Sequence, residues 1–183
     1  MPDRMLPVVG ALVWLTFKYV GLIWLTWDAS AMAGGLVHML ILLGLGAWAA
    51  QTKGIADSNR CVSFLDALIA VLRVTFRYVL VGGVAVGVWY FVLNADGVAA
   101  RKAEQVMRIE EALGSDEVFQ RTLEVAPELS AMDRQTVYEN QLETLEMYYS
   151  APFHLGFALL ALAGAALGFS LVVTLVWRFV WGN

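Results

Sequence analysis

The chain has 183 residues, of which 60% are hydrophobic and 15% charged, against about 45–50% and about 25% in an average soluble domain. A mean hydropathy of +0.67, a single cysteine and a net charge of −4 exclude a disordered chain, a disulfide scaffold and a nucleic-acid-binding protein. What remains is an integral membrane protein of one domain's length.

Four segments reach the roughly 20 apolar residues that a membrane helix needs. The first runs from Met5 to Trp27 with Lys18 as its only charge, and the second from about Ala31 to Ala50 with His38 its only ionisable group. The third ends near Leu93 and begins between Val62 and Val74. The fourth runs from Pro152 to Trp181 and contains His154 and Arg178. Their apolar runs are continuous, unlike the short alternating strands of a barrel. The first apolar run is too long for a cleaved signal peptide, and Lys18 interrupts it, so a retained helix is expected. A tight turn around Asp28-Ala29-Ser30 joins spans one and two, and Gln51 to Cys61 joins spans two and three. Arg4, Lys53, Arg60 and Arg178 fall on one side of this layout, while the opposite short turn has no Lys or Arg. The positive-inside rule then puts both termini on the cytoplasmic side. Trp24, Trp27, Trp89, Tyr90, Phe91, Tyr148 and Tyr149 mark one interface, and Trp48, Trp177 and Trp181 the other; Trp14 breaks the pattern.

Residues 94–150 differ in kind. They hold 12 acidic and 5 basic residues, a local charge of −7, and should lie on the outer side. Asn94 or Asp96 can cap a helix from Val98 to Leu113. Ser115 can cap a second, with Asp116 and Glu117 at its positive end, which Pro127 breaks. Ser130 can cap a third, with Asp133 in capping-box spacing. Tyr138, Leu142, Leu145 and Tyr149 form one apolar stripe, and Val106, Ile109 and Leu113 a shorter one. The expected architecture is all-α: helices one to three in residues 1–93, an acidic helical hairpin in 94–150, and helix four in 151–183.

Ser63, Asp66, Ala70, Arg73 and Arg77 share one helical face. Two readings stay open. The stripe faces the bundle interior, where Asp66 meets Lys18; or residues 62–72 lie along the cytoplasmic surface, and Arg73 and Arg77 grip lipid phosphates. His38 and His154 sit at similar depth, as bis-histidine haem ligation would need, with Gly34, Gly35 and Gly156 to make room; interfacial histidines satisfied by water or backbone are the plainer account. Gly83 with Gly87 and Gly164 with Gly168 are GxxxG pairs suited to close helix packing, within the chain or at a homo-oligomer seam.

Catalytic motifs are missing, as are internal repeats and the acid in the first helix that a four-helix multidrug exporter would carry. Cys61 reads as incidental. Ser63-Phe64-Leu65-Asp66-Ala67, then Ser150-Ala151-Pro152-Phe153, then Gly164 and Gly168, resemble the pattern of an uncharacterised bacterial four-helix membrane protein family. That resemblance implies the four-helix fold and no activity. The expected function is non-enzymatic, of structural, accessory or interaction type, with the bilayer, other membrane subunits or a second copy as partners and no cofactor. The rivals are a small transporter or channel using Lys18, Asp66, Arg73 and Arg77, and a haem carrier using His38 and His154.

Overall fold

The computed structural model describes residues 2–53, 63–125 and 132–180. Arg60, Cys61, Val62, Pro127, Ser130 and Trp181 lie outside them. The described residues are helical, with no strand among them. In chain order the helices are α1 (Pro2–Trp24), α2 (Trp27–Thr52), α3 (Phe64–Val88), α4 (Ala95–Gly114), α5 (Asp116–Val125), α6 (Arg134–Tyr148) and α7 (Ala151–Phe179), with a π-helical turn, Trp89–Leu93, extending α3.

Four of these stretches are long and apolar enough to cross a membrane: Met5–Trp24, Trp27–Thr52, Phe64–Leu93 and Ala151–Phe179. Their ends follow from local chemistry. The first turn comes earlier than expected, because Thr26 takes extended backbone angles and its side chain accepts the Ala29 amide 3.4 Å away, which starts α2 at Trp27. Asp28, Ala29 and Ser30 are therefore helical. Ser63 starts α3 in the same way, accepting from the Asp66 amide at 3.0 Å and donating to the Asp66 carboxylate at 2.6 Å.

The chain divides into two compact units, Met1–Trp89 with Leu155–Asn183, and Tyr90–His154. The first is a helix bundle whose mainly apolar interior also holds Lys18, Ser30, His38, Thr75, Ser170 and Thr174. α1 turns Gly10, Ala11, Trp14, Lys18 and Gly21 inward, and α2 turns Ser30, Gly34, His38, Leu42, Leu45, Gly46 and Ala49 inward. Large apolar side chains point out, including Leu12, Leu36, Leu40, Leu80, Val84, Leu160 and Leu171. Such a surface is a liability in water and ordinary in lipid. Gly83 and Gly87 form sockets on α3: an added Cβ would meet Leu159 Cδ2 at 2.5 Å and Leu155 Cδ2 at 2.9 Å. Gly164 and Gly168 differ: among the described residues, no neighbouring side chain lies within 4 Å of that position.

In the second unit, Leu113, Phe119 and Val137 form a small core with Ile109, Leu123 and Tyr138 against it. Val137, outside the expected stripe, is the most deeply buried of these. Asp133 caps α6, its carboxylate accepting from the Thr136 amide at 2.7 Å. Ser115 caps α5 as its position suggests, accepting from Val118 at 3.4 Å.

Candidate functional site: a buried polar cluster among the first three helices

α1 and α2 run antiparallel from the short break at Leu25-Thr26. One turn down α1 therefore pairs with one turn up α2. Trp14 Nε1 donates to the Gly34 carbonyl at 2.9 Å, and Lys18 Nζ donates to the Ser30 carbonyl at 3.1 Å and to its hydroxyl at 2.7 Å. Gly34 is what lets them in: a Cβ there would lie 3.1 Å from Lys18 Cδ and 3.4 Å from Trp14 Nε1. The Lys18 side chain is only 3% exposed, and its ammonium sits 5.5 Å from the Trp89 ring centroid, where the π face favours a cation.

His38 lies beside this pair. Its ring stacks on Trp14 at 4.5 Å between centroids, and its Nδ1 is 2.6 Å from the Tyr78 hydroxyl on α3. His38 Nε2 is buried without a hydrogen-bond partner. If Tyr78 donates to Nδ1, one group, the Nε2–H, is left unsatisfied. If Nδ1–H donates instead, both Nε2 and the Tyr78 proton are left. The first assignment is the less costly. A second polar contact ties α3 to α7, where the Thr75 and Ser170 hydroxyls meet at 3.0 Å, both fully buried.

No family model, curated protein or solved structure matches this chain.

The geometry of the cluster corrects two expectations. Lys18 does not meet Asp66. Asp66 and Trp89 lie on one continuous helix, 23 residues or about 34 Å apart, and Lys18 is at the Trp89 end. The polar stripe does not face the interior either: Asp66 and Arg73 are exposed and Arg77 is half-buried. The inward face of α3 is instead Ala67, Val71, Val74, Thr75, Tyr78, Gly82, Ala85, Val86 and Trp89. The two histidines belong to different units. His154 has its own aromatic neighbours, Tyr90 at 5.2 Å, Phe91 at 6.1 Å and Tyr149 at 6.3 Å, and its Nδ1 is buried without a hydrogen bond. Gly34 receives Lys18 and Trp14, so it makes no room for a macrocycle. Trp89, expected in an interfacial belt, is 1% exposed inside the bundle.

Trp14, Ser30 and Tyr78 are the cluster members that sequence reading missed. A signal for two of them was present. Trp14 and Lys18 are four apart on α1, and Ser30, Gly34 and His38 are four apart on α2, which is the pairing an antiparallel turn produces. Tyr78 carries no such signal, because its contact with α2 depends on how α3 lies across the pair.

Proposed function

We propose that this chain is a non-enzymatic, multi-pass protein of the bacterial inner membrane, a structural or accessory subunit with cytoplasmic termini and the acidic residues 94–150 on the outer side as a helical hairpin. One observation carries the reading. The buried lysine of the four apolar helices is bonded to the backbone and hydroxyl of the next helix, so its polar capacity fastens α1 to α2. A transport site needs its charge available to a substrate or proton. Two further polar contacts act likewise, joining α2 to α3 through His38 and Tyr78 and α3 to α7 through Thr75 and Ser170. Features left for a partner include the acidic insert and the outward Gly164 and Gly168. The resemblance to four-helix bacterial membrane proteins is consistent with this reading.

The test uses Lys18. Lys18→Ala removes the fastening and leaves a cavity, and should lower stability by about 2–4 kcal/mol. Lys18→Met keeps the volume and removes a costly buried charge, and should be much milder. Thermal melts in detergent give both numbers. In proteoliposomes, the wild type and both variants should pass ions and protons no faster than empty vesicles. A wild-type proton or ion flux that Lys18→Met abolishes overturns the reading in favour of a transporter.

A further inference from the structure

Arg73 and Arg77 are cations inside an apolar helix, yet the polar groups of the bundle interior do not use them. Arg73 is exposed and Arg77 half-buried. Among the described residues, no hydrogen bond or ion pair reaches either one. The nearest acid on the same face, Asp66, is already held by the Ser63 hydroxyl at the helix start. A guanidinium in or near hydrocarbon without a partner is costly, and the described residues supply none, which points to a partner from the surrounding bilayer.

Depth says what that partner is. The apolar run of α3 and its π turn ends at Leu93, with Asn94 and Asp96 following. Counting back along the helix, Arg77 is 16 residues or about 24 Å away, and Arg73 is 20 residues or about 30 Å away. A hydrocarbon core of about 30 Å therefore ends at Arg73, with Arg77 one turn inside it. Helical side chains lean toward the N-terminus of their helix, and for both arginines that direction is toward the near headgroups. Below them, Phe76, Leu80 and Val84 are 39%, 65% and 67% exposed, which offers a bed for an acyl chain.

We infer that Arg73 and Arg77 form a binding site for the phosphate of an anionic phospholipid, with the acyl chain lying along Leu80 and Val84. Two guanidiniums one turn apart can share a phosphate through forked hydrogen bonds. They are neutralised better by a lipid of net negative charge than by one that carries its own ammonium. This inference rests on the membrane-spanning reading proposed above.

The test takes the full chain in mild detergent and counts retained lipid by native mass spectrometry, with phosphatidylglycerol, phosphatidylcholine and inorganic phosphate as probes. Wild type should retain phosphatidylglycerol over phosphatidylcholine. Arg73→Gln/Arg77→Gln should weaken that retention about tenfold or more, the loss of roughly one charged hydrogen bond, and Arg121→Gln should leave it unchanged. The single variants Arg73→Gln and Arg77→Gln, each with helix content checked, stand in where the double variant does not fold. Equal retention of both lipids, or undiminished phosphatidylglycerol binding in folded variants, overturns the site. Displacement of the lipid by millimolar inorganic phosphate overturns it as a lipid site. Alkaline carbonate extraction of membranes separates the two readings: a chain that washes off defeats the membrane-spanning reading itself, while a chain that stays put with no lipid preference defeats only this one.

Discussion

Trp14 has two roles that one substitution can separate. Its ring covers one face of His38, and its N–H bonds a backbone carbonyl in the facing helix. Trp14→Phe keeps a stacking ring and loses the donor. The Gly34 carbonyl keeps a second lone pair for its own helix, so the cost should be near the usual 0.5–1.5 kcal/mol of a neutral hydrogen bond. Trp14→Ala removes the ring as well and should cost about 3–5 kcal/mol through the cavity. Equilibrium unfolding of both variants in detergent checks the ratio, and equal losses would mean that the ring contributes nothing. At this scale the sequence shows which residues are unusual, a lysine, a histidine and a tryptophan in apolar helices. It does not show which partner each one takes, because several polar groups lie at similar depth and the helix crossings choose among them.

Between helices, the two glycine pairs look alike in sequence and behave differently in place. Gly83 and Gly87 receive leucines of α7, while Gly164 and Gly168 face outward. Gly83→Val would place branched carbons in the Leu159 socket and should destabilise the bundle by about 1–3 kcal/mol through overpacking. Gly164→Val meets no neighbouring side chain of its own chain and should stay within about 0.5 kcal/mol of the wild type in monomer stability. Melts of the two variants in detergent, at a protein concentration low enough to hold monomer, separate them. A GxxxG pattern states that close approach is allowed. Which face is approached depends on the rotation of each helix about its axis, and that is settled by the packing of the whole bundle.

Across the whole molecule, charge is divided by position. The net −4 consists of −7 in residues 94–150 and +3 elsewhere. That division has a consequence for acid. Thr136 amide bonding holds the Asp133 carboxyl below its ordinary value, and Arg101, followed by Arg108, does the same for Glu104. A depressed carboxyl pKa adds stability above the ordinary carboxylate range, and that contribution is lost as pH falls through it toward the lower folded value. Helix content in residues 90–154 should therefore decline on acidification below about pH 4 while the bundle, whose described interior holds no carboxylate, keeps its helices. Asp133→Asn keeps a capping oxygen that does not titrate and should hold α6 to lower pH than wild type. Hydrogen exchange resolved by segment is the measurement, and a bundle that loosens together with the insert would contradict it. The all-helical class, the four apolar stretches, the cap at Ser115 and the acidic character of the insert were legible in the residues, because hydropathy, helical periodicity and capping act over one turn to one span. The charged stripe of α3 faces outward, Lys18 bonds Ser30, and one glycine pair is filled while the other is open. These could be decided only by tertiary structure, since each depends on the rotation and crossing of helices that are distant in sequence, and a one-dimensional pattern does not carry that information.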